Sequence, residues 1–457
     1  MNPNLLERLD RISWNRCHTT VTVALGIGWL LDAFEVTIVN NVLGIFKNLW
    51  HLTNLQTSWI LSIWFIGLMV GAYGFGYLAD RFGRKRLFLI TLLIYGTFTL
   101  LTAFAWSFES VLVLRFLTAI GVGAEYSAIT AAISEFIPAR YRGRANATVM
   151  NFWSLGAIVA ALVSLYVVNL LPPDLGWRVA FGFGAVVAAS TAVIRRYIPE
   201  SPPWLISQGD TAAASRIITG IEEGRRLMGG PATRARPARP SSHFGAQTRE
   251  LITRYPGRVA LGCLLDLSEA AGYYGLFAVL ALFILPEIHV AAGFVPFFYL
   301  MGNLGALAGG LTVAALLDRV GRKITVPAFY VLAAIGVLLL AASTATHAWG
   351  WVLAAFTVAS LFATGSWISA YPTFSEIFPT HLRSTGIGLS VSVGRVGAFL
   401  APLVLTTVAT DHGVFPALAL LAALWLIGAV AMIPWYFRGV EGKGRTLEQF
   451  FPGEQAR

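Results

Sequence analysis

The sequence predicts an all-α membrane protein with twelve transmembrane helices arranged in two pseudo-symmetric six-helix bundles. Its composition is the first reason: of 457 residues, 56% are hydrophobic and only 12% are charged, whereas soluble domains carry about 25% charged residues. The second reason is that the apolar residues fall into a dozen segments, most of about 20 residues, and each can span a bilayer core of roughly 30 Å. The third is a repeat of sequence motifs between the two halves. A soluble enzyme is therefore excluded.

The apolar segments fall into two sets of six. A polar stretch rich in arginine, proline and glycine separates the sets, and its composition favours a linker over a packed domain. A short surface helix is expected within 210–228. We predict an N-terminal six-helix bundle over 1–198, a cytoplasmic linker over 199–256, a C-terminal six-helix bundle over 257–437 and a cytoplasmic tail over 438–457. The predicted spans, numbered 1 to 12, are 19–43, 57–79, 86–105, 109–133, 146–170, 176–198, 257–285, 292–317, 324–343, 348–374, 385–408 and 413–437.

Basic residues lie between alternate apolar segments, and this distribution predicts the orientation of the chain. The net charge is +10, from 33 Lys and Arg against 23 Asp and Glu, but the basic residues are not gathered on one domain, as a nucleic-acid surface would require. Because basic loops stay on the cytoplasmic side, an even number of spans places both termini in the cytoplasm. No signal peptide is visible in the sequence. We expect a multi-pass protein of the inner (plasma) membrane, with no nucleic-acid partner.

Three motifs of the first half recur in the same order in the second half. LLDAFE, with Asp32 and Glu35, returns as LLDLSE, with Asp266 and Glu269. ADRFGRK returns as LDRVGRK, and SEFIPARYRG returns as SEIFPTHLRS. Parallel repeats of six spans build carriers that open to each side of the membrane in turn. The repeat therefore predicts a transporter that works by alternating access.

Four segments carry a resemblance to a known family. They are GYLADRFGRKR from Gly76 to Arg86, RFLTAIGVG from Arg115, PESPPWL from Pro199 and EGKGRTLE from Glu441. Together they resemble the major facilitator superfamily. Within it, the chain is similar to the metabolite:proton symporter group, which includes bacterial nicotinate transporters and synaptic vesicle glycoprotein 2 and is related to sugar porters and organic ion transporters. The resemblance covers the whole chain and implies a twelve-helix secondary transporter.

The two cytoplasmic loop motifs are candidates for a conformational gate. Their glycines permit close helix approach, and their acidic side chains can accept hydrogen bonds from a helix N-terminus and from arginines. In the family that the chain resembles, these loops latch the two halves in the outward-open state. The alternative is a pair of basic loops that only set the topology. The predicted gating residues are Asp80, Arg81, Gly83, Arg84, Asp318, Arg319, Glu135, Arg142, Glu376 and Arg383.

Ionisable side chains inside spans are costly and normally face a cavity or a partner. Spans 1 and 4 hold Asp32, Glu35, Arg115 and Glu125, our candidates for proton coupling. Asp32 and Glu35 share a helix face and lie roughly 16 and 12 Å from the outer end of span 1. Arg115 lies roughly 9 Å from the outer end of span 4, so it can pair with a carboxylate of span 1. The resemblance implies a coupling switch, and the alternative is a permanent structural ion pair. Glu125 resembles an acidic position of phosphate and metabolite symporters, and its alternative is a buried or helix-capping acid.

Arg395 in span 11 is the candidate anchor for a substrate. Since it has no proton to lose, it needs an anion, either a substrate carboxylate or a cavity acid such as Glu269. The resemblance favours the substrate, because organic-anion transporters carry arginine at this point. In span 7, Asp266 is a candidate gate residue, and a break after Gly272 is expected to bring two tyrosines towards the substrate. The predicted substrate-binding residues are Arg395, Tyr273, Tyr274, Glu269, Asn151, Asn303, Trp367 and Tyr371.

These features together predict proton-coupled uptake of a small aromatic or short-chain monocarboxylate such as nicotinate. The alternatives are an organic cation or sugar transporter and a receptor that binds ligand without transport. The sequence has no nucleotide-binding loop, metal-spaced His/Cys cluster or nucleophile elbow, so we expect no enzyme activity, no cofactor and no metal. The expected partners are a small-molecule substrate, protons and the lipid bilayer, and the chain is expected to act as a monomer.

Overall fold

In the computed structural model of the chain, helices are the regular elements of the described residues, and short turns and loops connect them. The structure describes residues 3–82, 84–138, 141–195, 199–207, 209–224, 244–379 and 382–439. Two π-helical turns, Ser164–Val168 and Leu280–Ile284, follow α6 and α11. The α-helices are α1 (Pro3–Arg11), α2 (Arg16–Leu49), α3 (Asn54–Phe82), α4 (Arg84–Thr102), α5 (Phe108–Phe136), α6 (Arg142–Val163), α7 (Pro173–Arg195), α8 (Pro202–Ser207), α9 (Thr211–Glu222), α10 (Phe244–Arg254), α11 (Pro256–Val279), α12 (Leu285–Glu287), α13 (Val295–Arg319), α14 (Arg322–Thr344), α15 (Trp349–Ile377), α16 (Arg383–His412) and α17 (Val414–Arg438).

The long helices account for the apolar composition. Within the described part of the chain, nine stretches are long and apolar enough to cross a membrane, which confirms a multi-pass membrane protein. They lie in α2, α3, α6, α11 to α12 and α13 to α17. Because a helix satisfies its own backbone hydrogen bonds, it is the element expected inside a bilayer. The helices α4, α5 and α7 are also long, so the described residues contain twelve long helices, the number that the sequence predicts.

The chain divides into two compact units. Unit 1 consists of Met1–Ile38, Ile66–Val163 and Val167–Pro240, and unit 2 of Val39–Phe65, Ser164–Tyr166 and Ser241–Arg457. The boundary between the units therefore falls within α2 and within α3. The ends of these two helices that flank their connecting loop belong to unit 2. The domain boundaries that we place at 198 and 257 from the sequence stay a prediction.

Small residues let α3 and α5 of unit 1 touch through their backbones. A methyl group at Gly71 would overlap the carbonyl oxygen of Ile120, and a methyl group at Gly123 would overlap the carbonyl oxygen of Leu68. Close backbone approach at glycine is the usual way in which membrane helices pack. The contact fixes α5, which carries part of the candidate site, against α3.

In unit 2, α11 is held against α17 by hydrogen bonds and by ring packing. The Ser268 hydroxyl donates to the Leu424 carbonyl at 2.6 Å, and the Gly428 amide donates to the Ser268 hydroxyl at 3.2 Å. A side chain at Gly272 would overlap the indole of Trp425. The serine is therefore satisfied inside the unit, and α11 has little freedom to shift along α17.

The expected break after Gly272 is wrong. The helix α11 continues through Gly272 to Val279, and the departure from α-helical geometry comes later, at the π-helical turn Leu280–Ile284. The missing side chain at Gly272 leaves room for the Trp425 ring and does not mark a bend in the helix. Sequence patterns do not separate these two uses of glycine, because both need only the missing side chain.

The N-terminus and the linker form short helices. The predicted surface helix within 210–228 is confirmed as α9, and the Asp210 side chain caps it by accepting a hydrogen bond from the Ala213 amide at 2.9 Å. The helix α1, which we did not predict, packs on α9. Arg8 of α1 donates to Glu222 at 2.7 Å and to the Thr219 hydroxyl at 3.1 Å. The contact joins the N-terminus to the linker within unit 1.

The Arg8 to Glu222 contact gives a pH-dependent prediction. The hydrogen bond from Arg8 lowers the pKa of Glu222 below its ordinary value of 4.5. The hydrogen bond therefore stabilises the folded protein fully above pH 4.5. This stabilisation is lost as the pH falls through the lowered pKa of Glu222 in the folded protein. We expect Glu222→Gln to raise hydrogen exchange in α1 at neutral pH by a small amount, because exposed ion pairs are weak.

The matched control for this prediction is Glu250→Gln, which removes the acid of an exposed pair with Arg254 in α10. Hydrogen exchange in α1, followed by mass spectrometry, should not change in this control. Exchange in α1 that is the same in Glu222→Gln and in the wild type at neutral pH would contradict the role of the contact.

Candidate functional site

A buried ion pair joins α2 and α5 in unit 1. The Arg115 guanidinium donates through Nη1 to Glu35 Oε2 at 2.8 Å, and the two side chains are 2% and 1% exposed. We predict from depth that Arg115 can pair with a carboxylate of span 1, and in the structure that carboxylate is Glu35. Removing one partner of such a pair would leave a buried charge without compensation, which is strongly unfavourable.

The other two proton-coupling candidates flank this pair in the sequence. Asp32 lies one turn before Glu35 on α2 and is also buried. Glu125 follows Arg115 on α5, but its side chain lies outside the described residues. The pairing of Glu35 with Arg115 is therefore described, while the proton-coupling role of all four residues stays a prediction.

A second buried group of charges lies in unit 2, where α11 meets α16. Asp266, Glu269 and Arg395 are 1%, 3% and 8% exposed. The Arg395 guanidinium is close enough to interact electrostatically with both acids, and the two carboxyl groups lie within hydrogen-bonding reach of each other. A methyl group at Gly394 would overlap Asp266 Oδ2, so the absence of a side chain at Gly394 makes room for the carboxyl group. We call these three residues the acid–arginine cluster.

Four of the predicted substrate-binding residues form an aromatic group in the same unit. The ring centroids of Tyr273 and Tyr274 are 5.2 Å apart, those of Tyr273 and Trp367 are 5.6 Å apart, and those of Trp367 and Tyr371 are 6.4 Å apart. Tyr371 also interacts electrostatically with all three members of the acid–arginine cluster. Aromatic rings and buried charges are therefore neighbours within unit 2, as expected for a site that binds an aromatic ion.

The two predicted asparagines differ in their surroundings. The Asn303 side chain is buried in unit 2 and donates through Nδ2 to the Tyr299 carbonyl at 2.7 Å. Its amide nitrogen is therefore used by its own helix, and its carbonyl oxygen is the part available to a ligand. Asn151 is partly buried in α6 of unit 1. Their predicted role in substrate binding is not tested by these positions.

Tyr330 of α14 is a neighbour of the acid–arginine cluster that we did not predict. Its hydroxyl donates to the Leu265 carbonyl at 3.0 Å, and its ring packs edge-on against Trp425 with the centroids 5.6 Å apart. It interacts electrostatically with Asp266 and Glu269. One tyrosine in an apolar span gives no sequence signal by itself, and only helix packing places Tyr330 beside the two acids.

Most of the predicted gating residues fall outside the described side chains. In the described part, Arg319 is exposed at the end of α13 and Glu135 is buried near the end of α5. Gly321, between α13 and α14, has φ of 100°, a conformation that glycine adopts without strain, so this loop needs its glycine for the turn. Gly83 lies outside the described residues, and so do the side chains of Asp80, Arg81, Arg84, Asp318, Arg142, Glu376 and Arg383.

Comparisons with known proteins agree with this architecture. The family described as "Sugar (and other) transporter" matches residues 30–452. The niacin transporter NiaP of Acinetobacter baylyi is 33% identical over 454 residues, which cover 97% of this chain and 99% of the relative. Organic cation/carnitine transporter 7 of Arabidopsis thaliana is 27% identical, with 91% of this chain and 90% of the relative covered.

A solved structure shows the fold. The partially occluded inward-open conformation of the xylose transporter XylE from E. coli superimposes with a TM-score of 0.74 at 18% identity, and the match covers 94% of this chain and 99% of that one. At this identity the likeness concerns the fold alone. The predicted major facilitator fold is confirmed.

Proposed function

The chain belongs to the sugar (and other) transporter family of the major facilitator superfamily, and from this premise we propose that it carries a small aromatic or short-chain monocarboxylate, nicotinate first, into the cell together with protons. It is a membrane transporter and not an enzyme, because the matched family and relatives are transporters. The printed substrate of the relative from Acinetobacter baylyi, niacin, supports the choice of nicotinate.

The observation that carries the substrate proposal is the position of Arg395. A guanidinium is a permanent cation with a planar fork of donors that matches a carboxylate. In this protein it is buried in unit 2, and it interacts electrostatically with Tyr371, whose ring neighbours Trp367. A carboxylate attached to a flat ring can use both features at once. An organic cation would instead need the acids of the same cluster, which is the rival substrate class.

Proton coupling is the second part of the proposal. We assign it first to the residues around the buried pair of unit 1, namely Asp32, Glu35, Arg115 and Glu125. An arginine beside a carboxylate keeps that carboxylate ionised until a proton or a ligand disturbs the pair. This arrangement is the physical requirement for a switch in which protonation releases one helix from another.

We further propose the setting in which transport takes place. The chain acts as a monomer in the inner (plasma) membrane with both termini in the cytoplasm, as the distribution of basic loops supports. The two loop motifs that contain Asp80 and Asp318 act as the gate, and Asp266 contributes from span 7.

Uptake by proteoliposomes tests the function. With an inward proton gradient, labelled nicotinate should accumulate above its external concentration, and a protonophore should abolish the accumulation. The neutral amide of nicotinate should not accumulate, and protein-free vesicles provide the background. Equilibration without accumulation would contradict proton coupling, and binding without entry would favour the receptor alternative.

A further inference from the structure

The buried charges of the acid–arginine cluster do not balance unless a proton is present. Asp266 and Glu269 lie three residues apart on α11, so their carboxyl groups share one helix face. Arg395 provides a single positive charge from α16. A carboxylate that is buried without compensation is so costly that it normally takes up a proton instead. One arginine can offset one of these two acids.

The contact between the two acids leads to the same conclusion. Their carboxyl groups lie within hydrogen-bonding reach. Two ionised carboxylates are acceptors only and repel each other, so a hydrogen bond between them requires a proton on one of the two. Asp266 Oδ1 and Glu269 Oε2 are buried without a hydrogen-bond partner among the described atoms. These oxygens are available to a second proton.

The helices packed against this part of α11 carry few other groups that could be charged. The described titratable groups that interact with both acids are Arg395 from α16, Tyr330 from α14 and Tyr371 from α15. Cys263 from α11 itself interacts with Asp266. Tyrosine and cysteine are neutral at physiological pH unless strongly perturbed. The helix α17 contributes Trp425, which does not titrate. Arg395 is therefore the cation that the described residues place at this cluster.

We infer that Asp266 and Glu269 share one proton in the ligand-free protein, and that they bind a second proton when a substrate carboxylate occupies Arg395. The inference rests on the proposed function, and it assigns to this cluster a proton-binding role that is separate from the pair of unit 1. Before binding, one arginine cation and two acids with one proton have no net charge. The substrate adds one negative charge, and one proton from water restores neutrality as a new O–H bond on the second carboxylate.

The shared proton can be tested without any substrate. Infrared difference spectra of the purified protein in nanodiscs, recorded at neutral pH and after exchange into heavy water, report the C=O stretch of a buried protonated carboxyl group. The wild type should show this band. Glu269→Gln and Asp266→Asn should each lose it, because a single acid beside Arg395 can remain ionised.

The matched control is Glu287→Gln, which makes the same chemical change at an exposed residue of α12, in the segment that continues α11. It should keep the band. Absence of the band from the wild type at neutral pH would overturn the shared proton. Persistence of the band in both Glu269→Gln and Asp266→Asn would assign the proton to another residue and would also overturn it.

The second proton is tested by calorimetry with nicotinate in two buffers of different ionisation enthalpy. The wild type and Glu287→Gln should take up about one proton for each nicotinate bound, and the affinity should fall by about tenfold for each pH unit on the alkaline side of the protonation step. The double variant Asp266→Asn with Glu269→Gln should bind nicotinate with no proton uptake, because neither amide can take up a proton. Nicotinate binding by the wild type without proton uptake would overturn this part of the inference.

Failure of the proposed function and failure of the shared proton would give different experimental results. If the wild type binds no nicotinate, the substrate proposal is contradicted, and so is the second proton. The infrared band is measured without ligand, and it would still decide whether Asp266 and Glu269 share a proton.

Discussion

Arg395→Ala is expected to reduce the affinity for nicotinate at least about tenfold, while the affinity for the neutral amide changes much less. Truncating one partner of a buried hydrogen-bonded charge pair costs about 2–5 kcal/mol, and a tenfold change in affinity corresponds to about 1.4 kcal/mol. The amide carries no charge, so it forms no ion pair with Arg395 and loses at most hydrogen bonds between a cation and a neutral acceptor. Binding of both ligands to the purified protein, measured by calorimetry, gives the comparison.

A second variant separates charge from geometry at this position. Arg395→Lys keeps the positive charge that offsets Asp266 and Glu269 but replaces the planar fork by a single ammonium group. We expect an affinity for nicotinate between those of the wild type and Arg395→Ala. The matched control is Arg254→Ala, at an exposed arginine of α10, which should bind both ligands as the wild type does.

A different result for Arg395→Ala would change the role assigned to this residue. Equal losses of affinity for the acid and the amide in Arg395→Ala would mean that Arg395 is a structural partner of Asp266 and Glu269. The acids would then be the groups that select a ligand, and the organic cation or sugar alternative would be favoured.

The sequence is sufficient to predict the fold and a contact of Arg115 with a carboxylate of span 1. Apolar segments of membrane-spanning length leave the helix as the regular element that satisfies its own backbone, so the long helices follow from composition and spacing. A contact of Arg115 with a carboxylate of span 1 follows from their depths, because the rise per residue is fixed in a helix. The choice of Glu35 over Asp32 comes from the structure. Asp266 and Glu269 share a face of α11 for the same geometrical reason.

The remaining features depend on packing between helices, which no single segment encodes. Gly272 has the sequence properties of a bend, but the Trp425 ring fills the space beside it and α11 stays helical. Tyr330 belongs to the neighbourhood of Asp266 only because α14 packs beside α17. The helix α1 was missed because its buried leucines form too short a pattern to stand out from a polar N-terminus.

Breaking the buried pair of unit 1 is expected to have the largest effect on stability. Arg115→Met should destabilise the protein by about 3–5 kcal/mol, because it leaves the Glu35 carboxylate buried without its partner. Arg115→Met combined with Glu35→Met should recover much of this loss, since apolar residues of similar volume often replace a buried pair at little cost. Thermal unfolding in detergent measures both effects. The exposed pair of Arg254 with Glu250, 3.0 Å apart within α10, provides a control cycle worth about 0.3–0.5 kcal/mol.

The same double variant separates a coupling switch from a structural ion pair. If the pair only stabilises unit 1, the folded double variant should accumulate nicotinate in response to an inward proton gradient as the wild type does. If the pair couples protonation to movement, the double variant should fold and bind nicotinate yet accumulate much less of it than the wild type does. Neither methionine can take up a proton, and only the Asp266–Glu269 pair then still binds one. We expect the second result. Full gradient-driven accumulation by a stable double variant would remove Glu35 and Arg115 from the coupling mechanism, and the Asp266–Glu269 pair would remain as the candidate proton site described in unit 2.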